Sequence, residues 1–369
     1  MIPVFEPEIG PAEIEAVTGA LRRGEISGSF GETILRFERD FANYCGCEFG
    51  VAVTSGTTAL QLAVNVAGIG AGDEVLVSAS TNIATALAVI HNGAIPVPVD
   101  SELDTWNLDL DVIGSLITPR TRAILPVHLF GHPVDMDRLM DIARGHGLVV
   151  IEDAAEAHGA TCRGRKVGSF GAMGCFSFYA NKLITTGEGG MVVTNSEELA
   201  ERLRLLRNLG FTEPRFWHQV AGYNFRMTGY QAAMGLAQLP KLEHFIRRKR
   251  EIAAAYSARF SDLPGLRLPG EASWARSVFW MYGIVVDEEA GLTRDELAAA
   301  LRADGIDSRT FFCPMNLQPC LTESPGFRGV RCPVAEALWD RGLYLPSSTG
   351  LDETTIGHIA DRVAFAIQG

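Results

Sequence analysis

Short apolar runs alternate with helix-period patterns through the first two-thirds of this chain, and that alternation constrains its fold more than any other feature. VAVTSGTTALQLAVNVAG reads as strand, glycine turn and helix. Asp73–Ser78, Ala94–Val99, Ala123–Val127 and Leu148–Ile151 are further strand-length runs, and GGMVVTN follows Glu188. Strands interleaved with helices imply a mainly parallel sheet covered on both faces. Pro11 opens a helix whose apolar face includes Ile14, Val17 and Leu21. FGETILRFERDFANYCG is a second helical pattern. Asn195 with Glu198 fits a capping box, before a helix carrying Leu199, Leu203 and Leu206 and stopping at Gly210. The character changes after Gly235. KLEHFIRRKREIAAAYSARF reads as one long charged helix, with Arg247–Arg250 on its solvated side. FWMYGIVVD then reads as a strand and TRDELAAALRADG as a helix. Ile356, Ile359, Ala360, Val363 and Ile367 recur at helical spacing. The expected organisation is a large α/β domain over residues 1–235, then a linking helix and a smaller α+β domain over residues 236–369.

Composition narrows the function. The 32 Lys and Arg against 44 Asp and Glu give a net charge of −12, which argues against a nucleic-acid binder that works through a basic face. No run approaches the ~18 apolar residues of a membrane span, and MIPVFEPEIG lacks the parts of a signal peptide. The seven cysteines are odd in number and form no CxxC pair, so reduced thiols and a cytoplasmic location are expected. His128 and His132 in VHLFGHPVD are interrupted by Gly131 and Pro133, so no metal site is expected.

Three segments carry chemistry. In SGTTAL (Ser55–Leu60), a glycine sits at the mouth of a helix whose first N–H groups have no internal partner. Gly56, Thr57 and Thr58 can therefore hold a phosphate, although a plain capped turn has the same pattern. In VVIEDAAEAHGA, Asp153 ends an apolar strand, where ligands of open α/β sheets gather. A carboxylate there can hold a protonated ring nitrogen or cap the next helix. In CFSFYANKLITTGEGG, Lys182 lies between an apolar-aromatic segment and a glycine-rich turn. If it is partly removed from water, its amine is primed for a Schiff base; otherwise it is a loop lysine. Ser177 adds a hydroxyl. Cradle, acid and amine in one α/β domain meet the requirements of pyridoxal phosphate (PLP).

At these residues, and across GEISGSFGETILRFERDFANYCG, GSFGAMGCFSFYANKLITTGEGGMVVTN, GYNFRMTGYQAAMGLAQL, FFCPMNLQP and GLYLPSSTGL, the chain closely resembles the DegT/StrS-type PLP-dependent sugar aminotransferases. The long SFYANKLITTGEGGMVVTN form looks most like their perosamine-synthase branch, which aminates C4 of a nucleotide-linked 4-keto-6-deoxyhexose such as GDP-4-keto-6-deoxymannose. The resemblance implies a type I, aspartate-aminotransferase-like fold and an obligate homodimer with shared active sites. It implies L-glutamate as amino donor and pyridoxamine phosphate as the intermediate coenzyme form. Lys182 matches the Schiff-base lysine, and Asp153 the partner of the pyridinium nitrogen. Glu156 matches a residue lying against the cofactor near its 3-hydroxyl. Gly56, Thr57 and Ser177 match the phosphate cradle. Asn224 matches an asparagine reaching the neighbouring subunit's cofactor. Ser27 and Ser29, in the loop Gly24–Gly31, and Arg226 and Arg309 are candidate substrate contacts.

Two departures stand out. Asn82, in TNIAT, replaces the aromatic residue that the family stacks on the pyridine ring. Asn316 replaces a histidine near the sugar. Both leave room for a different acceptor, such as an 8-oxo-octulosonate or a cyclitol ketone. A sugar dehydratase and a non-catalytic PLP-binding regulator are the other readings. Lys182 stands against the dehydratase, and Lys182, Asp153 and Asn224 together stand against the regulator.

Overall fold

A computed structural model describes residues 1–28, 31–214 and 216–368. Its main sheet has seven strands: β1 (Phe49–Val53), β2 (Glu74–Ser78), β3 (Ile95–Val99), β4 (Thr121–Leu125), β5 (Val149–Asp153), β6 (Met173–Ser177) and β7 (Gly190–Thr194). They lie in the order β1-β7-β6-β5-β4-β2-β3. Only β7 runs against its neighbours; the other pairings are parallel. Parallel strands buried on both faces are mostly apolar, and β2 and β6 are buried at every position; Glu74 at the start of β2 pairs with Arg120. On one face, Phe41 packs edge-on to Phe176 and Phe178, each with ring centroids 5.0 Å apart. A second, antiparallel sheet has four short strands, Leu266–Arg267, Tyr282–Val286, Arg309–Thr310 and Gly342–Leu345. The helix Leu242–Phe260 lies between the two sheets in sequence and packs against the C-terminal helix Glu353–Gln368. Among the described residues, no helix is long and apolar enough to cross a membrane.

Three sequence expectations need correction. Ser196, not Asn195, caps the helix Glu197–Arg207, accepting from the Leu199 N–H; Asn195 instead accepts from the Glu48 N–H. The first helix forms at Pro11–Arg22, yet Ile14 and Leu21 are exposed while Glu13 is buried. Lys241 and Gln238 both donate to Glu13 Oε1, which offsets the cost of burying that carboxylate. The basic run is only partly a solvated face: Arg247 is exposed, but the run turns inward at Lys249. Lys249 is only 1% exposed, and Arg250 pairs with Glu271. Lys249 falls on the stripe of Phe245, Ile246, Ile252 and Ala253, so helical phase overrides its charge.

Candidate active site

The carboxyl ends of β5 and β6 and the start of the helix Gly56–Val66 surround a cavity of about 420 Å³. Seven sequence-predicted residues line it: Gly56, Thr57, Asn82, Asp153, Glu156, Ser177 and Lys182. At one end, Ser55 Oγ accepts from the Thr58 N–H and caps the helix. Thr58 turns its hydroxyl to this cap and does not line the cavity. A Cβ at position 56 would lie 2.7 Å from Ser177 Cβ, so only glycine lets the helix mouth meet the end of β6.

Asp153 is 4% exposed. Its Oδ2 accepts from Thr85 Oγ1 at 2.9 Å and its Oδ1 from the Ala155 N–H at 3.2 Å. A turn follows, so Asp153 caps no helix. Burial raises its pKa, and among the described residues no cationic side chain hydrogen-bonds to it. A carboxylate so placed has Lys182 as a charged neighbour but no direct cationic hydrogen bond, and would gain from one. Glu156 Oε2 accepts from the Phe130 N–H at 2.9 Å, and burial pushes this carboxyl up as well. Phe130 (φ 50°) and Gly131 (φ 96°) form the tight turn that aims that amide. Burial pushes the Lys182 amine down, the direction a condensing amine needs, while Glu156 and Asp153 oppose it. His158, wholly buried among Phe41, Phe176 and Phe178, is pushed down to about 3 by burial and is neutral.

Asn82 Oδ1 accepts from the Ala84 N–H. The remaining predicted contacts are not brought to this cavity among the described residues. Asn224 is exposed on the segment before the helix Gly229–Gln238. Arg226 donates to Asn208 Oδ1, and Arg309 is exposed and pairs with Asp307. Asn316 is buried and donates to Glu336 and the Val330 carbonyl, so its amide faces away. Ser27 lies outside the lining. Ser29 falls outside the described residues.

Sequence reasoning missed the far wall. Trp280, Phe312 and Tyr344 arrive from the second sheet and its connections, and Tyr179, Asn181 and Glu188 flank Lys182. FWMYGIVVD looked like an ordinary core strand. The one available signal was the tryptophan just before its regular part.

Residues 7–364 match the DegT/DnrJ/EryC1/StrS aminotransferase family. The chain belongs to that family. It is 44% identical to the GDP-perosamine synthase of Caulobacter vibrioides, covering 99% of this chain and 97% of that one. It is 40% identical to the dTDP-3-amino-3,4,6-trideoxy-alpha-D-glucose transaminase of Streptomyces venezuelae, covering 98% and 95%. Among solved structures, Streptomyces venezuelae DesV in complex with a ketimine intermediate superposes with a TM-score of 0.91 at 40% identity, covering 97% of this chain and 94% of DesV. The fold is therefore that of this family's aminotransferases, and the aminotransferase expectation holds.

Proposed function

We propose that this chain is a PLP-dependent sugar aminotransferase that takes the amino group of L-glutamate and places it on C4 of a nucleotide-linked 4-keto-6-deoxyhexose. The observation that carries the reading is the convergence of the buried Asp153, the cavity-facing Lys182 and the Gly56 helix mouth on one cavity. The residues fit the coenzyme. Lys182 Nζ would hold it covalently, Asp153 would meet its ring nitrogen, and Gly56, Thr57 and Ser177 would take its phosphate. When bound, the coenzyme supplies an electron sink for the bond-breaking step at the donor carbon.

The chain's own residues do the rest. Asp153, dry and oriented by Thr85 and Ala155, favours a proton on the facing nitrogen because a charge pair relieves its burial. Lys182 Nζ faces the cavity and takes and returns a proton at the donor carbon. Glu156, held by the Phe130 N–H, remains a hydrogen-bonding wall beside the lysine. Trp280, Phe312 and Tyr344 close the side facing the second sheet and limit water.

We place the domain boundary at 235/236, before the linking helix. We also infer an obligate homodimer. Ile14, Leu21, Ile26 and Leu35 are all more than half exposed, as are Phe216 and Trp217, and exposed apolar groups in such number favour a covering surface. Asn224, exposed and away from this chain's cavity, is available to the cofactor of a second copy.

Purified protein mixed with PLP should absorb as a Schiff base, and borohydride should fix the label on Lys182. In a separate, unreduced sample, glutamate should bleach that absorbance and yield 2-oxoglutarate. A panel of keto-sugars read by mass spectrometry should give an amine from the nucleotide-linked 4-ketohexose. Absence of the label on Lys182 overturns the cofactor assignment; amination only of an octulosonate or cyclitol ketone overturns the substrate.

A further inference from the structure

Trp280 joins the reactive lysine to the second sheet through three separate contacts. The Lys182 Nζ sits over its indole ring, 3.7 Å from the centroid. Its indole N–H donates to the Asn181 carbonyl at 2.7 Å, next to Lys182 in the chain. Its own carbonyl accepts from Lys249 Nζ at 2.7 Å, and that nitrogen also donates to Ser347 Oγ at 3.0 Å. The turn at Gly131 presses from another side: a Cβ there would lie 2.9 Å from the Trp280 nitrogen. Trp280 is 3% exposed; its backbone is held by Lys249 and Gly131, and its ring can swing only by breaking the indole N–H bond to Asn181 and leaving Lys182.

We propose that Trp280 is the station of the Lys182 amine whenever that amine is not covalently engaged, its ring face favouring the proton-carrying form and its N–H fixing the backbone on which the lysine rides. Lys249 is a positioning residue that holds Trp280. This rests on the reading of Lys182 as the Schiff-base lysine. The physical case is a balance. Burial drives the amine towards its neutral form, which suits condensation but leaves it a poor proton carrier. An aromatic face beneath the nitrogen attracts only the ammonium, by a factor of roughly threefold to thirtyfold in the protonation equilibrium. The face thus restores the carrier state at one fixed place.

Asp153 and Glu156 act on this nitrogen, and other ionisable groups lie near it. Asp153 ends β5, Glu156 and His158 follow it, and Tyr179 and Glu188 flank Lys182. Tyr344 comes from the second sheet, and Glu8 and Lys249 line a small cleft behind the lysine. All are unchanged in the comparison below, so a shift there reports the ring.

The test compares the native full chain with Trp280→Phe, Trp280→Leu and protein carrying fluorinated tryptophan at position 280, which keeps shape and N–H but drains the ring face. In cofactor-free protein, reductive methylation of Lys182 is followed against pH by peptide mass spectrometry. The midpoint should fall by about one pH unit in Trp280→Leu, fall stepwise with fluorination, and fall by less than in Leu in Trp280→Phe, which keeps a weaker ring face. With coenzyme bound, the glutamate half-reaction of Trp280→Leu should slow about tenfold, with a larger isotope effect from α-deuterated glutamate and an unchanged KM. A midpoint indifferent to fluorination, or equal losses in the Phe and Leu variants, overturns the proposal. If native protein takes up no coenzyme at Lys182, the functional reading fails instead, and the methylation profile still decides the role of the ring.

Discussion

Replacing Lys249 by methionine removes a titratable group while nearly keeping its shape, and the consequence can be worked out. Burial brings the Lys249 ammonium from 10.5 down to about 7. The folded chain therefore gives up this proton near pH 7, while the unfolded chain keeps it to 10.5. Between those values the unfolded state binds more protons, so stability rises with pH, by about 1.4 kcal/mol per unit from this group. Above 10.5 the contribution is constant; below 7 both states are protonated and the full cost of about 5 kcal/mol stands. Lys249→Met has no such slope. It also leaves the Trp280 carbonyl without its donor, a pH-independent loss of about 1–3 kcal/mol. Denaturant unfolding at a fixed protein concentration, at pH 7.5 and 9.5, should show the difference between native and variant moving by about 2.7 kcal/mol in favour of the native protein at the higher pH. A difference that stays constant within about 0.5 kcal/mol would mean that the folded lysine is charged throughout, and the reasoning from burial would fail.

Four further outcomes are expected. Lys182→Ala should bind the coenzyme without a borohydride-stable label and show no turnover, checked by peptide mass spectrometry and assay. Asp153→Asn should slow the glutamate half-reaction roughly a hundredfold or more in stopped-flow, with the unfolding temperature little changed. Thr85→Val removes a hydrogen bond from the charged form of Asp153, so the acid limb of the rate profile should move up by about one pH unit. Mixing Lys182→Ala and Asn224→Ala subunits should restore about a quarter of native activity, because half the dimers are mixed and each holds one complete site; no recovery would place Asn224 in its own subunit's site.

The residues legible from sequence share one property: each ends a buried strand or sits in a glycine turn beside one. Gly56, Asp153, Ser177 and Lys182 could be found because parallel sheets gather ligands at one edge and the chain must expose polar groups there. The wall formed by Trp280, Phe312 and Tyr344 was not legible, since nothing local in those segments records which distant loop they approach. Lys249 was misread because four consecutive basic residues suggest solvent, whereas a helix turns one of every few inward. Ile14 and Leu21 carried the right period for a buried face, but period alone does not say whether that face meets the chain's own core. Asn316, Arg226 and Arg309 were proposed by type and motif, and each is occupied by a neighbour that the sequence does not reveal.

The cavity draws its two halves from different sheets. The groups we propose to hold the coenzyme lie at the edge of the first, and much of the opposite lining comes from the second. A gene exchange that grafts a foreign C-terminal third onto this scaffold would recut the mould for the acceptor and leave the transamination apparatus standing, provided the incoming segment supplies an aromatic ring beneath the lysine.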